Sequence, residues 1–177
     1  MKLVLPDTKY KDSFIQAVKE FQGENDYTHR NRWYRKLSIL ELEADFDGFV
    51  ARELSHSRGE NLSEGYVPMT EYWLIDGKEF IGHATLRHRL NDKLMQIGGH
   101  IGYDIRPSMR GKGYGNKILE LALKKAKELG IKRVLVTSDE RNIASRKIIE
   151  KNGGVLENQI PNPEMGYDAL RFWIDIS

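Results

Sequence analysis

The stretch RPSMRGKGYGNKILELALKKA, Arg106 to Ala126, sets two arginines, a lysine and three alternating glycines immediately before a helix-forming run. Gly111, Gly113 and Gly115 carry no side chain, so backbone N–H groups there can approach a ligand closely and the chain can take up positive φ. A helix starting behind them turns its unpaired N–H groups and the positive end of its dipole toward whatever the loop holds. That combination suits a phosphate or pyrophosphate. Arg110 and Lys112 add formal charge, and a guanidinium meets phosphate oxygens with two parallel donors. A glycine-rich turn with solvated basic residues is the competing interpretation, because loose glycine patterns are common. Two familiar phosphate loops do not fit. A Walker A loop ending in Gly111-Lys112 would need glycine where Arg106 stands and Ser or Thr where Gly113 stands. The dinucleotide pattern needs its third glycine where Asn116 stands.

The elements around this loop follow from periodicity. Phe14, Ile15, Val18 and Phe21 predict a helix over 7–21, closed by Gly23, and Phe46, Phe49, Val50 and Leu54 a second over 45–54. Residues 55–68 read as a long loop. Two β-rich runs flank Asp76-Gly77, a strong hairpin signal, and a third strand over 100–107 follows a turn near Asn91-Asp92 and stops at proline. Behind the glycines, Ile118, Ala122, Ala126 and Leu129 form one helical stripe from Asn116 onward, with Gly130 as C-cap. RVLVT is a short buried strand, and a helix over 142–151 follows with Asn142 as N-cap. VLENQ and LRFWIDI supply two last strands. This order predicts an α/β (α+β) fold: a central mixed, mostly antiparallel sheet with about four helices on its faces.

Bulk properties narrow the classes. A chain of 177 residues is most simply one domain, 1–177, with a sizeable core. A net charge of +2 argues neither for nucleic acid nor for a membrane surface. Lys124, Lys125 and Lys127 sit among glutamates on a polar helix side and read as a solvated face. With no cysteine there is no thiol nucleophile, thiolate metal site or disulfide framework, which fits a reducing compartment, and no metal site is expected. The apolar run at the N-terminus is too short for a signal peptide and no stretch approaches a membrane span, so the expected location is cytoplasmic.

Arg110-x-x-Gly113-x-Gly115, opening a helix after the strand IGYDI, resembles the GNAT superfamily of acyl-CoA-dependent N-acetyltransferases. NIASRKIIEKNGG, Asn142 to Gly154 after RVLVT, is similar to that family's second signature helix. The resemblance implies a sheet splayed at its centre, with the pantetheine arm of acetyl-CoA inserted like a missing strand. Tyr103, Asp104 and Ile105 would then offer backbone hydrogen bonds to that arm. Arg110, Gly111, Lys112, Gly113, Tyr114 and Gly115 would cradle the pyrophosphate, with Asn116 at the helix start, while Asn142 and Ser145 would face the pantetheine. The implied reaction is direct attack of an acceptor amine on the thioester of the co-substrate. Proximity would supply much of its acceleration, and a backbone N–H would stabilise the developing oxyanion.

An amine arrives mostly protonated and needs a base. Many relatives carry one on the strand before the loop, where His100 is the nearest candidate; a structural histidine bonded in the hairpin is the alternative. Strand alternation sets His100 with Asp104, opposite Ile101, Tyr103 and Ile105, unless a bulge reverses it. His83, His88, Glu64 and Glu71 read as surface or sheet residues. Many relatives also carry a tyrosine that protonates the leaving thiolate where this chain has Ile149, so Tyr103, Tyr167 or water would have to serve. That departure motivates a second reading, a non-catalytic acyl-CoA-binding module. The acceptor groove is expected between the first two helices, the 55–68 loop and the connection over 161–168, with Trp33, Tyr34, Tyr66, Trp73 and Tyr167 as aromatic candidates. Small-molecule acceptors are favoured over proteins, because no open peptide groove is legible; no acidic cluster marks a polyamine site. Similar folds often dimerise through their C-terminal strands, which leaves a homodimer open.

Overall fold

A computed structural model of the chain describes residues 1–24, 32–163 and 166–177. Two antiparallel sheets carry the fold. The first has the order β1 (Lys2–Val4), β2 (Met69–Asp76), β3 (Glu79–Arg87), β4 (Ile101–Ile105); the second has the order β5 (Arg133–Asp139), β7 (Ala169–Asp175), β6 (Val155–Ile160). The expected single splayed sheet is thus opened into two halves at β4 and β5. Where they meet, the halves touch through a bridge between Gly99 and Val136 and two hydrogen bonds at His100. Beyond that seam the strands diverge and leave a groove.

Seven helices occur among the described residues. Four are long: α1 (Lys11–Gly23), α4 (Phe46–Ser55), α6 (Tyr114–Glu128) and α7 (Ile143–Lys151). The short ones, α2 (Arg32–Arg35), α3 (Ile39–Ala44) and α5 (Asp92–Gln96), are too brief to show a period, and α5 replaces the turn expected near Asn91-Asp92. The side chain of Asn91 caps α5, accepting from the Leu94 N–H at 2.9 Å. A tight helical turn, Thr8–Tyr10, precedes α1, so that helix begins four residues later than periodicity suggests. No helix among the described residues is long and apolar enough to cross a membrane.

The first sheet separates two cores. On one face Leu74, Ala84 and Leu86 pack with Ile118, Ala122 and Ile149 of α6 and α7. On the other, Trp73, Ile75 and Phe80 meet an aromatic cluster from α1 and α4. Phe14 is its hub, stacked on Trp73 at 4.6 Å and edge-on to Phe80 at 5.1 Å. A β-bulge in the β2–β3 pairing decides which residues of β3 face which core. Leu74 pairs with Gly82 but Ile75 pairs with Phe80, so Ile81 is the extra residue. One extra residue reverses the alternation of everything after it. His83 and Thr85 therefore lie on the same face as Phe80, opposite Trp73 and Glu71, and Asp104 of β4 pairs with His83 on that face.

Candidate functional site

A groove of about 600 Å³ runs from the glycine loop along the gap between β4 and β5. Tyr103, Asp104, Ile105, Arg110, Gly111, Gly113, Tyr114, Gly115, Asn116, Asn142 and Ser145 all line it, joined by Tyr167. Residues far apart in sequence meet here because β4 ends in the loop that starts α6, while β5 leads directly into α7. Gly111 and Gly113 sit at φ 75° and 84°, where an L side chain is strained. Gly113 is the N-cap of α6, with no side-chain cap, so the first-turn N–H groups of this 15-residue helix face the groove end. The helix starts at Tyr114, before the expected Asn116. Asn116 thus lies within the first turn, its Oδ1 buried without a hydrogen-bond partner. Gly115 serves packing as well as access, since a Cβ there would come within 2.5 Å of Ile148 Cδ1 on α7.

The cations of the loop are placed differently from the expectation. Arg106 is buried and tied to Glu20 of α1 at 2.6 and 2.9 Å, bracing the end of β4. Arg110 forms a two-pronged pair with Glu24 and donates to the Ile105 carbonyl at 3.1 Å. Lys112 turns out of the groove, donating to the Ser108 carbonyl at 3.0 Å. Along α6, Lys117, Lys124 and Lys125 pair with Glu120 and Glu128 one turn away, as a solvated face does.

His100 is part of the seam rather than a poised base. Its Nδ1 accepts the Leu135 N–H at 2.9 Å and its own N–H donates to the Leu135 carbonyl at 2.7 Å. Burial, with the nearby Arg87 charge, lowers its pKa to about 4. The lone pair a base would use is committed to holding the two half-sheets together. The aromatic candidates also disperse. Tyr34 and Trp73 are core residues, Tyr66 is 62% exposed, and Tyr167 lies in the groove under the Arg141 guanidinium. Residues 164–165 of the connection expected to wall the acceptor groove lie outside the described residues.

The titratable cluster that sequence reading missed lies on the other face of β2 and β3. The Glu71 carboxylate accepts from His83 Nε2 at 2.6 Å and from Thr85 Oγ1 at 2.8 and 3.0 Å. An ionised carboxylate can only accept, so Nε2 carries the proton and Nδ1 holds the free lone pair of the neutral ring. That Nδ1 is buried without a hydrogen-bond partner and points toward Asp104, whose Oδ2 is 3.9 Å away, beyond hydrogen-bond reach. Trp33 stacks on the imidazole at 5.0 Å and 15°. Burial alone would lower the pKa of His83, but the carboxylates of Glu71, Asp104 and Glu53, Glu71 foremost, together outweigh it and raise the value above 6.5. Glu53 of α4 completes the cluster. It follows Phe46, Phe49 and Val50 on the buried stripe, a position where the pattern calls for an apolar side chain, and is only 7% exposed. A carboxylate on an apolar stripe is the one signal by which sequence could have flagged it.

Burial and the neighbouring Glu71 charge raise the pKa of Glu53 from 4.5 to about 7. A carboxyl whose folded pKa lies above its unfolded value stabilises the fold fully below the unfolded pKa. That contribution is lost as pH rises toward and through 7. For Glu53 it is about 3 kcal/mol. Glu53→Gln is therefore expected to raise the melting temperature at pH 8 and to change it little at pH 4.5, read by thermal denaturation at both pH values.

The sequence of residues 15–155 matches the family model described as an acetyltransferase (GNAT) domain, which spans most of the chain. The chain belongs to the GNAT acetyltransferase family. No curated protein matches the chain by sequence. Among solved structures, the microcin C7 self-immunity acetyltransferase in complex with acetyl-CoA and AMP is similar at a TM-score of 0.68 and 15% identity, over 98% of this chain and 91% of the other. An acetyltransferase from Salmonella typhimurium that modifies the N-terminal serine of ribosomal protein L7/L12 is similar at 0.64 and 19%, over 99% and 94%. A spermidine N-acetyltransferase chimera from Vibrio cholerae is similar at 0.62 and 17%, over 99% and 96%.

Within this GNAT domain, Ile149 is fully buried between α7 and the sheet and contributes to packing alone. A different hydroxyl pair lines the groove. Tyr103 Oη of β4 lies 3.2 Å from Ser145 Oγ of α7, and Asn142 caps that helix by accepting the Ser145 N–H at 3.1 Å. Burial pushes the Tyr103 phenol up to about 12, so it stays protonated at neutral pH.

Proposed function

We propose that residues 1–177 form an acetyl-CoA-dependent N-acetyltransferase acting on a small primary amine. The carrying observation is the orientation of His83: Glu71 fixes its Nε2–H, and the unpartnered Nδ1 faces Asp104 on the wall of the groove. This is the arrangement of a base held in one tautomer by a carboxylate.

The groove suits acetyl-CoA: an uncapped helix start and two left-handed glycines at one end, and the Tyr103–Ser145 hydroxyls along its wall. When bound, acetyl-CoA supplies an acetyl group activated as a thioester. The first-turn N–H groups of α6 would hold the pyrophosphate oxygens, and Arg110 would join them by exchanging Glu24 for phosphate. Asn142 keeps the start of α7, and with it Ser145, against Tyr103. His83 Nδ1 would accept the proton of the incoming amine, with Glu71 stabilising the imidazolium that results. The protonated Tyr103, bonded to Ser145, would serve as donor to the leaving sulfur in place of the residue that Ile149 replaces. The solved relatives act on a ribosomal protein N-terminus and on spermidine, so this fold serves both protein and small acceptors. Exposures of 8% at His83 and 6% at Glu71, beneath Trp33, favour a slender acceptor.

The buried Ile149 supports the second reading, a module that binds acyl-CoA without turnover. One experiment separates the two: calorimetric titration with acetyl-CoA, followed by thiol release in a panel of primary amines. Binding with amine-dependent thiol release is the expected result. Binding without release from any amine would favour the non-catalytic module, and absence of binding would sink both.

A further inference from the structure

Glycines in and beside the sheets are bare for different reasons. At Gly82 of β3 and Gly99 of the seam an added Cβ would come within 2.3 Å of a backbone carbonyl oxygen, so the fold itself demands glycine there. Gly102, in the middle of β4, is of another kind. Its φ is not positive, and a Cβ would meet a single atom within 4 Å, Arg87 Nη1 at 4.0 Å. Glycine inside a strand weakens it, and alanine at such an unstrained position commonly stabilises. Packing therefore gives no reason for glycine at 102. The residue lines the groove, and its open face stands beside Thr85 on the side of the sheet that carries His83.

The atom bordering that open face belongs to a cation with no carboxylate partner among the described residues. Arg87 Nη1 donates to the Gly98 and Gly99 carbonyls at 3.2 and 3.0 Å, while Nε and Nη2 make no hydrogen bond among those residues. Glu71, the carboxylate whose charge acts on Arg87, is committed to His83 and Thr85. Burial disfavours the guanidinium charge, and an anion beside it would offset that cost. Position decides what could bring the anion. The seam at Gly99–Val136 closes the groove behind Gly102, whereas the cofactor arm would enter from the α6 end. Asp104, paired with His83, stands two residues nearer that entrance. An acyl group reacting beside His83 thus points its tail toward Gly102, about 6.6 Å farther along β4. A four-carbon chain carries a terminal carboxylate about 5 Å past the thioester carbon. A charge-assisted hydrogen bond of about 2.8 Å closes the remaining gap to the guanidinium.

We infer that the groove also takes an acyl-CoA whose four-carbon acyl group ends in a carboxylate, held by Arg87 across the bare face of Gly102, and that this group is transferred as acetyl is. The amine nitrogen forms the new bond to the acyl carbon as the carbon–sulfur bond breaks. Its proton passes to His83 Nδ1, the departing sulfur takes the Tyr103 proton, and solvent carries the proton from His83 back to Tyr103. This rests on the acyl-CoA reading above and goes beyond it by naming a second donor class.

The test measures Kd by calorimetric titration for succinyl-CoA, butyryl-CoA and acetyl-CoA in wild type, Arg87→Gln and Gly102→Val. Succinyl-CoA should bind wild type at least about tenfold more tightly than butyryl-CoA, which matches its length without the charge. Arg87→Gln should bring that ratio toward one while acetyl-CoA still binds, and Arg87→Lys should restore part of it. Gly102→Val keeps Arg87 and the seam, and should weaken succinyl-CoA at least about tenfold more than acetyl-CoA. If Arg87→Gln fails to fold without its bonds to Gly98 and Gly99, the wild-type ratio and Gly102→Val decide. A wild-type ratio near one, a ratio unmoved in Arg87→Gln, or equal weakening of both ligands in Gly102→Val overturns the inference and leaves the acetyl-CoA reading standing. If acetyl-CoA itself does not bind, both fall. Thiol release from succinyl-CoA with an amine that the protein acetylates is the expected second readout, and its absence overturns the transfer.

Discussion

Gly113→Val is expected to weaken acetyl-CoA binding about a hundredfold, read as Kd by calorimetric titration. Gly113 sits at φ 84° as the N-cap of α6, with nothing but its own backbone presented to the groove. Valine in the left-handed region costs about 1–2 kcal/mol, which the chain can relieve only by rotating the loop away. That rotation misdirects the helix-start N–H groups. A hydrogen bond to a charged partner contributes about 1.5–3 kcal/mol, so misplacing one or two of them accounts for the hundredfold. Backbone strain alone must be separated from loss of the anion site. Gly130, at φ 78° beyond the other end of α6, provides the control, since a Cβ there would meet nothing within 4 Å. Gly130→Val carries the same strain and should lower the melting temperature by a few degrees while acetyl-CoA still binds. Equal loss of affinity in both variants would show that the loop acts through stability and not as the cradle.

The second large effect is expected at Glu71. Glu71→Gln should lower kcat by about 10²-fold or more, within the range that loss of general acid–base assistance produces. The pH profile distinguishes this from simple structural damage. With His83 as base, kcat/KM rises as pH climbs through the pKa of His83, which lies above 6.5 because the Glu71, Asp104 and Glu53 carboxylates, Glu71 foremost, together outweigh burial. Removing the Glu71 charge leaves burial less opposed, so the rising limb should move to lower pH in Glu71→Gln even as the rate falls. His83→Gln should abolish the limb altogether. A limb that stays in place in Glu71→Gln would assign the base elsewhere. The same linkage acts on stability. A histidine with a raised folded pKa stabilises fully below its unfolded value of about 6.5, and that stability is lost as pH rises through the folded value. Glu53 and His83 thus both make the fold weaker toward alkaline pH.

The local conformation around the groove between β4 and β5 was legible in the sequence. Glycine at 111 and 113 permits the positive φ found there, and a strand stopping before Pro107 ahead of an amphipathic run fixes a strand–loop–helix unit without reference to the rest of the chain. Asn142 before NIASRKII is a cap for the same local reason. The aromatic stripe of α1 and the hairpin at Asp76-Gly77 were likewise legible, because each depends on residues a few positions apart.

Only the tertiary structure decided what lies between those elements. His100 and His83 are indistinguishable as letters; one lost its lone pair to Leu135 N–H, 35 residues away, and the other kept it because Glu71 took the opposite nitrogen. The single extra residue Ile81 determined that His83 and Thr85 face Glu71, and a bulge is set by the pairing of two strands, not by the composition of either. Arg106 and Arg110, equally basic in sequence, were divided between a buried brace on Glu20 and a pair with Glu24 at the groove mouth. The sequence on its own determined that a glycine loop opens α6, since backbone conformation and capping are local. Which histidine keeps a free lone pair, and how far the Glu53 carboxyl is pushed toward its neutral form, came from burial and charge pairing across the sheet, and these exist only once the chain has folded.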